Sequence, residues 1–302
     1  MQEKGPALAL VLGGGGARGY AHLGVLRVLL EAGIKPGLVV GSSFGAIVGA
    51  AWAAGRYSLE DLYTLALCMN RRRALSLCDP VWPREGLIRG RRLEEFLHTL
   101  TGGVSFPELR HPLAVVATDL ERGETVVLQE GPVARAVLAS SALPGLMAPV
   151  RWGERALFDG CLLSPLPVAE ALALGAQRVL AVDVSSPVDG TDQLHALVYR
   201  VRRWGSRVRA VARRHEVTFR LYTRASQMWP PSLRALARSC TLSEEKRSCC
   251  PPALLQERVT VWRPAVQGVA WNEFHRAAEC IAAGEAVARE ALRNWHGEAM
   301  LH

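Results

Sequence analysis

The run Val39-Val40-Gly41-Ser42-Ser43-Phe44-Gly45-Ala46 constrains this chain more than any other stretch. A short β-branched segment feeds a Gly-x-Ser-x-Gly, and the small residues from Ala46 to Ala54 continue at once as a helix. That grammar is a nucleophile elbow, in which a strand turns sharply into a helix and one serine, Ser43, projects from the corner. The corner demands strained dihedrals, and side chains at 41 and 45 would collide with the neighbouring strand and helix. The following helix would set its positive end beside Ser43. Taken alone, the pentapeptide also fits an ordinary Gly/Ser turn, so its surroundings decide.

Upstream, Ala7–Leu12 is a continuous apolar run, as expected of a strand buried on both faces of a parallel sheet. Gly13–Gly16, Ala17-Arg18-Gly19 and a helix from about Tyr20 to Ala32 follow, with Gly33 as its C-cap. The order is strand, loop, helix, strand, loop, helix. A right-handed crossover therefore brings the glycine loop and the elbow to the same sheet edge. The glycine loop admits three readings. A flexible turn explains little, because consecutive glycines are entropically costly unless the backbone must approach something closely. Gly14-x-Gly16-x-x-Gly19 fits a dinucleotide fingerprint, but that motif needs an acid at the end of the second strand, which here reads Val39-Val40-Gly41-Ser42. An oxyanion hole explains both loops together: backbone N–H groups beside the elbow would face the charge developing on an attacked carbonyl. Arg18 adds positive potential to the same corner.

At 302 residues and 49% hydrophobic composition the chain can bury a large core, as one α/β domain or one domain with an insertion. No apolar run reaches the ~18 residues of a membrane-spanning helix. The start, Met1-Gln2-Glu3-Lys4-Gly5-Pro6, does not read as a signal peptide. Seven scattered cysteines without a Cys-x-x-Cys suggest reduced thiols in the cytoplasm rather than a disulfide framework. Cys249-Cys250, without nearby histidines, makes a poor metal site.

Further along, the expected elements are a helix near Leu59–Met69 and a loop or lid over Asn70–Arg92. A helix over Leu93–Leu100 and a buried strand Leu113–Thr118 follow, the strand pairing as a hairpin with Glu124–Leu128. Helix Val133–Ser140 is broken by Ser141-Ala142-Leu143-Pro144-Gly145. Strand Arg155–Phe158 ends at Asp159-Gly160, helix Pro167–Leu174 and strand Arg178–Val182 follow, and strand Arg258–Trp262 and helix Asn272–Trp295 close the pattern. A serine needs a base. Among eight histidines, His195, after a strand, is the best triad candidate. Asp159 could instead be hydrogen-bonded directly to the serine, although Asp-Gly is also a common turn.

With these residues in hand the sequence resembles the patatin-like phospholipase family, over roughly residues 7–190 and 258–290. The likeness rests on three motifs in order: Gly13-Gly-Gly-Gly-Ala-Arg-Gly19, the elbow Gly41–Gly45, and Asp159-Gly160. It is supported by Ala114–Asp119, Ala139–Val150 and Pro165–Ser185, and is nearest to small bacterial members with little beyond the catalytic domain. One position departs: Cys161 stands where the family usually has Gly or Ala. The resemblance implies a three-layer α/β/α sandwich with a mainly parallel central sheet and a Ser43–Asp159 dyad without histidine, metal or cofactor. It further implies oxyanion donors from the Gly14, Gly15 and Gly16 backbone, and a phospholipid or lysophospholipid substrate. Phe44, Leu143, Pro144, Leu146 and Met147 are candidate walls of an acyl pocket, with ordinary core as the competing reading.

Charge is concentrated in one region. Residues 196–250 hold 13 Lys/Arg against three acids, Glu216, Glu244 and Glu245, whereas the whole chain is +8. Leu197, Val201, Trp204, Val208 and Val211 form an apolar helical stripe among arginines, within a basic insertion at about 192–257 in a single catalytic domain spanning 5–300. Two readings stand: contact with an anionic membrane surface, or packing on the catalytic domain. Nucleic-acid binding lacks a motif. The expectation is a cytoplasmic acyl-hydrolase attached peripherally to the inner face of the membrane.

Overall fold

The computed structural model describes residues 5–81, 87–185 and 257–293. The insertion at 192–257, its basic stripe and His195 lie outside the described residues, apart from its last residue.

Strands β1 (Leu8–Leu12), β2 (Leu38–Ser42), β3 (Leu113–Asp119), β4 (Glu124–Leu128), β5 (Val150–Trp152), β6 (Arg155–Asp159), β7 (Arg178–Val182) and β8 (Val259–Trp262) form one sheet. Its order is β5-β6-β3-β2-β1-β7-β8, with β4 on β3. The five strands from β3 to β8 run parallel, and β4, β5 and β6 add antiparallel pairs at one side. The β3–β4 hairpin forms as expected, with Asp119 opposite Glu124.

Alternation along the apolar runs divides two cores. Leu8, Leu10, Leu12, Leu113, Val115, Leu180 and Val182 face one side. Ala9, Val11, Val40, Ala114, Val116, Val179 and Ala181 face the other. Helices α1 (Ala21–Glu31), α2 (Phe44–Ala54), α3 (Leu59–Leu67), α4 (Arg71–Ser76), α5 (Arg91–Thr101) and α6 (Val133–Ser140) follow in order. Helix α7 (Val168–Ala173) contributes to the second core, and α8 (Ala277–Arg293) packs on α1 in the first. These are the layers of the α/β/α sandwich.

Three boundaries differ from expectation. The first helix begins one residue later, at Ala21, because Gly16–Tyr20 winds as a 3-10 turn. The stretch expected as loop or lid contains α4, whose N-cap Asn70 accepts the Arg73 N–H at 2.9 Å, and the start of α5. The last helix is preceded by a 3-10 turn at Phe274–Arg276. All four described cysteines, Cys68, Cys78, Cys161 and Cys280, are free. Among the described residues no helix is long and apolar enough to cross a membrane.

Candidate active site

The parallel pairing of β1 with β2 sets Leu12 beside Gly41, so the two loops leave the sheet side by side. Ser43 is the N-cap of α2 with φ 52° and ψ −122°, the one non-glycine residue at positive φ among those described. Such a backbone persists only where its surroundings fix it. Here they do. A Cβ at Gly45 would strike the Leu12 carbonyl oxygen, and one at Gly41 would lie 2.6 Å from Ala46 Cα. The Ser43 N–H donates to Ser140 Oγ at 2.8 Å, and the buried Ser140 hydroxyl donates to the Val116 carbonyl at 2.6 Å.

Strand β6 carries Asp159 to the same corner. Ser43 Oγ donates to Asp159 Oδ2 at 2.8 Å, while Oδ1 accepts the Cys161 N–H at 2.8 Å. The Asp159 side chain is buried, and its N–H is held by the Ala142 carbonyl. Both carboxylate oxygens are therefore engaged, with one aimed at the serine.

In the glycine loop the accounting of donors narrows the expectation. Gly14 N–H is committed to the Pro165 carbonyl at 2.9 Å and Gly13 N–H to Val182 at 3.1 Å. Gly14 is thus corrected from donor to spacer: a Cβ there would overlap Cys161 Sγ and lie 3.1 Å from Ser43 Cβ. Gly15 and Gly16 are the amides that remain of the expected donors. Arg18, buried, donates through Nε to the Gly15 carbonyl at 3.3 Å. A trans peptide points its C=O and N–H in opposite directions, so this contact orients the Gly16 N–H as well.

The Gly13–Gly14 peptide at the start of the loop is also held through its carbonyl. Fully buried His22, on α1, has Nε2 2.7 Å from the Gly13 carbonyl. A carbonyl only accepts, so Nε2 carries the proton, and the buried Nδ1 has no partner among the described residues. Burial pushes the His22 pKa down to about 4, against the raising effects of Gly13 and Asp183. Nothing in the sequence marks His22 as buried or Ser140 as the acceptor behind the elbow.

Cys161, the departure from the family pattern, wedges between Gly14 and Ser42, its sulfur 3.7 Å from Ser42 Oγ. Burial first, and then the Asp159 carboxylate, raise its thiol pKa well above the ordinary value, so the sulfur is neutral.

The site opens into a cavity of about 1440 Å³, beyond the ~300–1000 Å³ of common ligand pockets. Ser43, Asp159, Cys161, Gly14, Gly15, Gly16 and Arg18 line it, as do four of the five candidate wall residues, Phe44, Leu143, Leu146 and Met147. The fifth, Pro144, does not line it. Pro144 is buried and bridges by its backbone to Met147, shaping the turn behind the wall. Phe44 is fixed by an edge contact with Tyr20, centroids 4.9 Å apart, and by stacking on Phe274 at 6.1 Å.

Fold and site together define an α/β protein with a serine elbow and an acidic partner. The sequence pattern of the patatin-like phospholipases matches residues 10–172, and the chain belongs to that family. An uncharacterized NTE family protein of Mycobacterium tuberculosis is 40% identical over 185 residues, covering 61% of this chain and 51% of the relative. Neuropathy target esterase sws of Drosophila melanogaster is 34% identical over 62% of this chain and 13% of its own length. Lysophospholipase NTE1 of Eremothecium gossypii is 32% identical over 66% and 14%. The match thus spans about half of the mycobacterial relative and a small part of the other two. Among solved structures, the type III effector protein ExoU is similar at 17% identity and TM-score 0.47, covering 96% of this chain and 53% of that one.

Proposed function

We infer that this protein is a serine acyl-ester hydrolase of the phospholipase A or lysophospholipase type. The observation that carries the reading is the 2.8 Å hydrogen bond from Ser43 Oγ to Asp159 on a strained elbow, open to a large apolar cavity. In this mechanism Asp159 accepts the Ser43 proton as Oγ attacks the ester carbonyl. The Gly15 and Gly16 amides and the α2 N-terminus hold the oxyanion, each well-placed donor stabilising the transition state by about 3 kcal/mol. The carbonyl re-forms, the alcohol departs with the proton, and an acyl-serine remains. Asp159 then takes a proton from water, which attacks the acyl group, releases fatty acid and restores Ser43. The Phe44, Leu143, Leu146 and Met147 wall receives the acyl chain. The names of the fly esterase and the fungal lysophospholipase support ester and lysophospholipid as the substrate class.

The test is hydrolysis of a chain-length series of nitrophenyl esters and of lysophosphatidylcholine by wild type, Ser43→Ala, Asp159→Asn and His195→Ala. Loss in the first two variants, by about a thousandfold or more, with His195→Ala active, is the expected result. Full activity in Asp159→Asn, or its loss in His195→Ala, defeats the dyad. An inert wild type that binds lipid leaves a lipid-binding protein of the same fold.

A further inference from the structure

The large exposed hydrophobic residues of the described chain are not scattered. Leu65 (39% exposed), Leu67 (56%), Leu75 (70%) and Leu87 (51%) all fall on the end of α3, on α4 and on the segment leading to α5. Single exposed leucines need no explanation, but a cluster on one rim does. This one borders the cavity: Leu65, Met69, Ala74, Leu77, Ile88 and Leu93 line it from the same elements. Helix α4 turns Ala74 toward the cavity, while Arg71, Arg72, Arg73 and Leu75 remain exposed. The segment is tied to the acyl wall, since the Leu87 and Ile88 N–H groups both donate to the Leu146 carbonyl, at 3.0 and 2.9 Å.

Its charge is one-sided. Described residues between 65 and 92 include Arg71, Arg72, Arg73, Arg89, Arg91 and Arg92 against one acid, Asp79. The Asp79 carboxylate is itself occupied by the Gly90 and Arg91 N–H groups, at 2.7 and 3.0 Å. Arg73 and Arg92 donate to backbone carbonyls of Cys68, Ser76 and Cys78, and Arg91 makes a long, exposed ion pair with Glu95 at 3.9 Å. Apolar side chains ringed by arginines at the mouth of an apolar cavity match an interface where acyl chains lie beneath anionic head groups.

We propose that the α3–α4–α5 rim is the surface by which this protein docks on anionic phospholipid, with Leu67 and Leu75 entering the acyl boundary and Arg71 and Arg72 meeting the phosphates. The proposal rests on the acyl-hydrolase reading for the purpose of the docking, but not for its measurement. Docked this way, the cavity mouth faces the bilayer, and an acyl chain can pass to Ser43 without crossing water. Each arginine near an anionic surface strengthens binding roughly fivefold, and salt screens that attraction.

The test is co-sedimentation of the full chain carrying Ser43→Ala with vesicles of phosphatidylcholine and phosphatidylglycerol in equal parts, and with phosphatidylcholine alone. Binding then needs no turnover. On this background, Leu67→Glu/Leu75→Glu and Arg71→Glu/Arg72→Glu are compared with Lys35→Glu/Arg110→Glu, exposed positions before β2 and β3 at the opposite sheet edge. The same pairs in the Ser43 enzyme are assayed on a soluble short-chain ester, which reads hydrolysis without a surface. The expected result is binding to the anionic vesicles that falls at least tenfold in both rim variants, stays in the control and weakens with salt, with soluble-ester hydrolysis unchanged. No vesicle binding by the Ser43→Ala protein overturns the proposal. So does undiminished binding in the rim variants, including binding lost instead in Arg200→Glu/Arg203→Glu. A change of oligomeric state in Leu67→Glu/Leu75→Glu without loss of vesicle binding assigns the rim to a second copy and overturns it too. Failure on the soluble ester strikes the hydrolase reading alone.

Discussion

Ser140 holds the elbow from behind: its Oγ accepts the Ser43 N–H at 2.8 Å and its hydroxyl proton goes to the Val116 carbonyl at 2.6 Å. One side chain thus joins α6, β3 and the corner between β2 and α2. Ser140→Ala leaves a Ser43 amide without its acceptor, which is worth about 1–3 kcal/mol when buried. The corner can then relax away from its strained φ, and Oγ drifts from the attack position. Expected are a fall of about tenfold or more in kcat on a soluble ester, little change in KM, and a lower Tm. An unchanged kcat with a lowered Tm shows that Ser140 serves the fold only.

The strain at Ser43 has a second consequence. A non-glycine residue held at φ 52° carries about 1–3 kcal/mol that glycine does not. Ser43→Gly is therefore expected to abolish ester hydrolysis and leave the protein at least as stable as wild type. The lost Ser43–Asp159 hydrogen bond, about 1–2 kcal/mol, offsets part of the gain. Equilibrium urea denaturation of Ser43→Gly against Ser43→Ala isolates the backbone contribution, because both variants lack the hydroxyl. Ser43→Ala as stable as Ser43→Gly contradicts stored strain at the corner.

The elbow and the glycine loop were legible because their requirements are local: a strand, a fixed spacing and small residues where the backbone must pass closely. Asp159 lies 116 residues from Ser43, and only motif order tied the two together. Contacts between distant segments left no such trace. Ser140 is 97 residues from the amide it accepts, and a serine at a helix end reads the same whether it holds an elbow or faces water. Gly14 could not be removed from the donors by sequence, since the carbonyl that occupies it belongs to Pro165. Helix α4 was obscured because three successive arginines carry no apolar period, although the Asn70 N-cap was a usable signal.

Cys161 has consequences for both chemistry and packing. Cys161 is half-buried on the cavity wall, and its thiol pKa is held well above the ordinary value, first by desolvation and then by Asp159, so it is a poor nucleophile, whereas Cys68 is exposed. A maleimide at pH 7 is expected to label Cys68 quickly and Cys161 much more slowly, read by peptide mass mapping. Cys161→Ala keeps the backbone N–H that donates to Asp159 Oδ1 and removes a sulfur packed on Gly14 and 3.7 Å from Ser42 Oγ. Ester hydrolysis should stay within about tenfold of wild type, with a stability loss of about 1 kcal/mol, as for a small deleted core group. Labelling of Cys161 as fast as that of Cys68 contradicts the raised thiol pKa.

His22 makes the stability depend on acidity. In the folded protein its pKa is about 4, below the ~6.5 of an exposed histidine. Between those values the unfolded chain binds the proton and the folded chain does not, so stability rises with pH across that window. This contribution is complete above about pH 6.5 and is lost progressively as the pH falls toward 4, by about 3 kcal/mol in all. His22→Gln can retain a donor toward the Gly13 carbonyl but has no proton to gain. Its unfolding free energy should therefore change less than wild type between pH 7 and pH 4.5. Activity separates the two roles of the ring: at pH 7.5, His22→Gln should keep more kcat than His22→Phe, which fills the space but leaves Gly13 unheld and the Gly14–Gly16 amides free to turn. Equal kcat in the two variants shows that the ring only fills the core. A wild-type pH slope in His22→Gln places the titration elsewhere.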